Sequence, residues 1–206
     1  MYSNILSTDD NKELIASLEL INRELDYVHE NVMTWKYLIV ATHNALQSVM
    51  ARALRQGNVM NVFSDNSTKK FNKYLVDMEM AGDDEAKMAS IVQPNCHMLN
   101  LMALYERIQN PKYLNKPYNA EDNSYHIVRL NDFRNEFIHF KWSGWSISVE
   151  PFPEIIEEVL KVISYLCNTH NNLYIASGEE LKKINELVKE ISFKNSEVKV
   201  IYNRDI

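Results

Sequence analysis

Apolar residues recur along most of the chain at intervals of three and four, the spacing that places side chains on one face of an α-helix. Leu14, Leu18, Ile21, Leu25 and Val28 form the first stripe, and Asp10 with Glu13 resembles a capping box ahead of it. A helix is predicted from about Asn11 to Glu30. A second stripe of Trp35, Leu38, Ile39, Thr42, Ala45, Leu46, Val49 and Ala53 predicts a long helix that stops at Gly57, a residue suited to the position past a helix end. Residues 58–84 are polar and less regular; they read as an insertion with a short helix near Thr68–Met80. Met98, Leu99, Met102 and Tyr105 predict a helix over Asn95–Ile108, which Asn110-Pro111 and Lys116-Pro117 prevent from continuing. Ser124 can cap the next, whose stripe is Ile127, Leu130, Phe133 or Arg134, and Phe137, running to a stop at Trp142-Ser143-Gly144. After Pro153, the positions Ile156, Val159, Leu160, Ile163 and Leu166 make a face wide enough for the centre of a bundle. Ser177-Gly178-Glu179-Glu180 resembles a capping box for a last helix to about Ile191, and Val198–Tyr202 alternates like a short strand.

The expectation is one all-α domain of five to six helices over residues 1–206, with residues 173–206 appended as a helix and a tail. Composition narrows it further. Four glycines and five prolines are too few for the hairpin turns of an all-β fold, and no glycine-rich phosphate loop is present. The 46% hydrophobic and 24% charged fractions describe a chain with a real core. A net charge of −6 argues against a general duplex binder, so nucleic-acid contact would require a local basic patch. Cys96 and Cys167 lie far apart, no signal-like segment opens the chain and no apolar run approaches a membrane span. A cytoplasmic protein with reduced thiols and no membrane partner is expected.

The candidate chemistry is concentrated in Leu130–Phe140, where Arg134 is followed by the amide Asn135, then three residues, then His139. Requiring Arg-Asn-x-x-x-His lowers the chance expectation in such a chain to roughly 0.02. This R-polar-x-x-x-H pattern, with a polar-faced first helix and a long second helix, resembles HEPN domains, small helical bundles found in bacterial toxins, anti-phage systems and the RNA-cutting parts of CRISPR-associated enzymes. The resemblance spans about Asp10 to Asn172. It implies a HEPN-like bundle acting as a homodimeric, metal-independent endoribonuclease without a cofactor, in a toxin or phage-defence setting with an antitoxin or defence-system partner. Arg134, Asn135 and His139 would be the catalytic set, and Lys141 a further RNA contact. HEPN toxins controlled by a nucleotidyltransferase antitoxin carry a modified tyrosine two residues after the histidine; Lys141 stands there in this chain, leaving Tyr125 and Tyr165 as other targets.

Physical chemistry supports those residue types independently of the resemblance. Metal-free RNA cleavage must take a proton from a 2′-hydroxyl, return one to the leaving oxygen and neutralise the phosphorane. An imidazole moves protons near neutral pH, and a guanidinium holds two phosphate oxygens at once. On a regular helix, five residues turn Arg134 roughly 140° away from His139, so either the helix end is distorted or a second subunit completes the site. Structural readings stand beside these. Arg134 can pair with Asp132 or Glu136, and His139 can cap the helix C-terminus. The alternative function is a non-catalytic HEPN-like module for dimerisation or partner binding. Arg23 and His29, His43, His126, and Lys69, Lys70 and Lys73 read as ordinary helix positions, and Cys96-His97 lacks the further ligands of a zinc site.

Overall fold

The computed structural model describes residues 8–119, 124–139, 146–169 and 178–202. Its described residues form eight α-helices and no strand: α1 (Asp10–Glu24), α2 (Thr34–Arg55), α3 (Asp65–Ala81), α4 (Glu85–Ser90), α5 (Leu101–Ile108), α6 (Ser124–Ile138), α7 (Phe152–Asn168) and α8 (Gly178–Tyr202). The all-α class agrees with the sequence pattern. The helix count exceeds the five to six expected because residues 65–90 supply two helices of their own.

Helix α2 lies at the centre and packs against α1, α5, α6 and α7, while α8 closes over α1 and α7. Leu38, Ile39, Ala45, Leu46, Val49, Met50, Ala53 and Leu54 on α2 are inaccessible to solvent. The wide face of α7 is equally buried, with Ile155, Ile156, Val162, Ile163 and Leu166 in the core. Four aromatic rings join the helices: Phe152 lies 5.4 Å from Trp35, and Phe133 meets it edge-on at 4.8 Å with Phe137 at 6.2 Å. Those contacts fix the rotational setting of α6, and with it the direction of the residues on its other side.

Several local expectations are corrected. Asp9, not Asp10, caps α1, its carboxylate accepting from the backbone N–H groups of Asn11 and Lys12. The helix ends at Glu24 in a 3-10 turn over Leu25–Tyr27, so Val28 is buried from the turn region rather than from the helix. The helix expected from Asn95 starts six residues later: Asn100 caps α5 through Ala103 N–H, and Met98 instead forms an isolated antiparallel bridge with Phe63. The proposed strand over Val198–Tyr202 is the last part of α8. Ile191, Asn195 and Val198 are buried and Tyr202 stands next in that three- and four-residue series, so the helical period outweighs a short local alternation. The Tyr202 hydroxyl accepts from Trp35 Nε1 at 3.0 Å, which ties α8 to the start of α2.

Residues 58–84 divide between the body and an outlying hairpin. Val62 is fully buried in a 3-10 turn against α2, and Arg107 donates to the carbonyls of Asn61 and Phe63. Helix α3 packs with α4 and carries Lys69, Lys70 and Lys73 on its exposed side. No helix among the described residues is long and apolar enough to cross a membrane. Because Phe152 joins α2, α6 and α7, Phe152→Ala should cost about 3–5 kcal/mol of stability, read as a lowered denaturant midpoint with a similar slope.

Candidate functional site

Burying Ile127, Leu130, Phe133 and Phe137 turns the polar part of α6 toward a pocket of about 270 Å³ between α2, α5 and α6. Asn131, Arg134 and Asn135 line it from α6, and His43 and Gln47 from α2. Leu101 and Met102 at the start of α5 supply its apolar wall. Both polar rows follow the i, i+4 spacing that puts side chains one above the other on a helix. None of the described residues lining the pocket is acidic.

Arg134 is half-buried, and its Nη1 donates to Asn135 Oδ1 at 3.1 Å. No ion pair joins it to Asp132 or Glu136, and its Nε is buried without a hydrogen-bond partner. A buried unsatisfied donor costs about 1–3 kcal/mol, so the guanidinium is not held here by compensating contacts of the usual kind. His139 is exposed one residue past α6 and does not line the pocket. Its backbone N–H donates to Asn135 carbonyl oxygen at 3.1 Å, which continues the helical pattern instead of breaking it. A distorted helix end therefore does not bring His139 to Arg134. The two share Asn135 as an intermediary: it is bonded to the guanidinium and lies four residues before the histidine. Lys141 lies outside the described residues, as do the Trp142-Ser143-Gly144 stop and Ser177.

His43 is the residue whose role sequence reading missed. It sits four residues after Ile39 and three before Leu46, on the buried stripe of α2, and only 5% of it is exposed. Burial pushes its imidazole down to about 4 from an ordinary 6.5, the Arg134 charge adds to this, and a hydrogen bond with the Asn44 side chain opposes both. Its Nδ1 has no partner. The available signal was the stripe itself, since a histidine there must face neighbouring helices. Gln47 and Asn131 gave no comparable sign, because amides at helix positions are common on any surface.

The other singled-out residues have local explanations. Arg23 pairs with the adjacent Glu24 at 3.0 Å, and the His29 ring lies 6.2 Å from Tyr202. Ser67 Oγ accepts from His97 N–H at 2.8 Å and Cys96 Sγ approaches Ser67 carbonyl oxygen at 3.6 Å, so this pair fastens a loop to α3. Among the described residues no three of His, Cys, Asp and Glu are placed to hold a metal ion. Burial pushes the Cys167 thiol up to about 12. His126 contacts the Tyr125 ring, Tyr125 Oη accepts from Arg129, and Tyr165 donates to Pro117 carbonyl oxygen at 2.9 Å.

Comparison with protein-family models, with curated proteins and with solved structures gives no match to this chain.

The depressed value of His43 makes stability depend on pH. The unfolded histidine binds a proton near pH 6.5 and the folded one only near 4, so the stabilisation is complete above the higher value and is lost as pH falls toward the lower. Denaturant titrations of the wild type between neutral and mildly acid pH should show a loss on the order of 2–3 kcal/mol that His43→Gln lacks.

Proposed function

We propose that the chain is a HEPN-type, metal-independent endoribonuclease that works as a symmetric homodimer in a toxin or phage-defence role. The observation that carries this reading is a guanidinium, Arg134, held at a polar pocket with no acidic lining and no carboxylate partner among the described residues, and bonded to an amide whose helical row ends at His139. An arginine kept clear of the described carboxylates in an acidic protein is available for an anion.

In this reading Arg134 binds the scissile phosphate and stabilises the charge that builds on the phosphorane. His139 takes the 2′-hydroxyl proton, or delivers one to the departing 5′-oxygen, and Asn135 positions the two. The 2′-oxygen forms its bond to phosphorus as the 5′-oxygen bond breaks, leaving a 2′,3′-cyclic phosphate and a 5′-hydroxyl. One chain presents Arg134 and His139 in different directions, so a second copy facing the first supplies the complementary group across a shared groove. Doubling Arg134, with Lys141 nearby in sequence, gives that groove a positive field despite the acidic total.

A second reading has two observations in its favour. His139 stands outside the pocket, and α3 exposes Leu75, Val76 and Met80 at 44%, 50% and 71%, as a partner-binding module would. It is the non-catalytic HEPN-like alternative.

Incubation of purified protein with total RNA in EDTA separates the readings. Cleavage should persist in EDTA, leave cyclic or 3′-phosphate ends and fail on a strand with 2′-deoxyribose at the cut. His139→Ala should lower the rate by ~10²–10⁴ with the circular dichroism unchanged. Arg134→Lys should also fail, since a point charge does not reproduce the two-donor fork, and Asn135→Ala should lose less. Light scattering should give a dimer at micromolar concentration. RNA cut equally by His139→Ala and by wild type would leave the binding-module reading in its place.

A further inference from the structure

The pocket beside Arg134 offers more hydrogen-bonding variety than a phosphate can use. Gln47 and Asn131, partly exposed on facing helices, have side-chain amides without partners among the described residues, and each amide presents both donors and an acceptor. Asn135 commits its carbonyl to Arg134, which leaves its NH₂. His43, neutral at physiological pH, adds a ring of one donor and one acceptor. Its Nδ1 is buried without a hydrogen-bond partner, so it can serve a bound group as donor or acceptor according to its tautomer. A phosphate, which at neutral pH offers almost only acceptors, would face two amide carbonyls with nothing to give them.

We infer that this pocket receives the base of the nucleotide next to the phosphate bound by Arg134, with Gln47, Asn131 and His43 reading its edge. The inference rests on the ribonuclease reading for the identity of the polymer and adds to it a determinant of where the chain is cut. A nucleobase is planar and carries donors and acceptors along one edge, matching amides and a neutral imidazole on facing helices. Leu101 and Met102 give its face an apolar surface, the methionine thioether being well suited to lie against a ring. The volume of about 270 Å³ falls just below the ~300–1,000 Å³ of sites for drug-sized ligands, enough for one base and its sugar edge and too little for an oligonucleotide. Acidic residues bound the region elsewhere: Asp10 and Glu13 line the adjoining pocket that shares Gln47, and Glu106 the one that shares Met102. Asp10 is paired with Arg55, but Glu13 and Glu106 disfavour phosphates on those sides and leave Arg134 as the place for the backbone. Arg134 Nε and His43 Nδ1, unsatisfied in the free protein, gain partners by a small side-chain adjustment as the base enters.

The test separates base binding from cleavage. Adenosine, guanosine, cytidine and uridine, which carry no phosphate, are titrated into the full-length protein at millimolar concentration beside a parallel titration with inorganic phosphate. Nitrogen-15 NMR follows the side-chain amides of Gln47 and Asn131 and the ring of His43. One or two nucleosides should shift all three residues, and phosphate should leave Gln47 and Asn131 unmoved. In mapped cleavage, Asn131→Ala and Gln47→Ala should reduce the rate ratio between preferred and disfavoured flanking bases roughly tenfold. Amide exchange and circular dichroism establish that both variants are folded, and Gln47→Glu, which removes donors at constant size, should shift the preference if Gln47→Ala does not fold. Shifts produced equally by phosphate, or no response to any nucleoside, would each overturn the inference. Nucleoside binding by a protein that cuts no RNA would uphold the pocket and remove only the enzymatic reading.

Discussion

Everything in this fold depends on the burial of α2 on nearly all sides. Of its twenty-two residues only Tyr37, Asn44 and Arg55 are exposed. Ala41, Ala45, Ala51 and Ala53 keep the helix narrow enough for four neighbours to approach, and Leu38, Leu46 and Met50 fill the spaces between. Helices in such a position cannot carry a polar side chain without consequence. Thr42 and His43 are the polar groups that α2 buries most deeply beyond its first turn, and His43 stays neutral because its surroundings do not repay a charge. The candidate site lies where this enclosure opens, between α2, α5 and α6.

The long stripes were legible because each is repeated over several turns, and the hydrophobic period then leaves one orientation that buries it. That holds for α1, α2, α6 and α7. It fails over short windows. Val198–Tyr202 satisfies a period of two as well as a period of 3.6, and it is the continuing series from Ile191 and the bond to Trp35, 167 residues away, that settle it as helix. Met98 has the spacing of a helix and the fate of a bridge residue, because its neighbours bond across to the turn: Leu99 N–H donates to the Val62 carbonyl and Ser64 N–H to the His97 carbonyl. The candidate site was half legible. Arg134 and Asn135 are adjacent in sequence and adjacent in the pocket, whereas His43 and Gln47 come from a helix some ninety positions earlier and enter through the packing of α2 on α6. A local motif can show the helix that carries a site; it cannot show the wall opposite.

The same packing explains how an acidic chain presents a cation. Several lysines are spent on neighbouring carboxylates at the surface, such as Lys161 on Glu157 and Lys199 on Glu154 and Glu157, where each pair contributes about 0–1 kcal/mol. Arg134 is withdrawn from that exchange by being set among amides. Its field is weak in total and strong locally, since the low-dielectric walls of the pocket screen it less than water would.

The pairing of α8 with α1 has a consequence for the order of events in the cell. Asn22 donates to Glu190, 168 residues further on, Lys194 reaches back to Asn22 and Asp26, and Tyr202 receives the indole N–H of Trp35. Ribosomes add residues at roughly 5–20 per second, so α1 and α2 wait on the order of ten seconds or more for the helix that covers them. During that interval the apolar face of α1 must be sheltered by the exit tunnel, by α2 alone or by a chaperone. The nascent chain is thereby kept from assembling its finished surface until translation has passed Tyr202, a built-in delay for any activity that depends on the complete bundle.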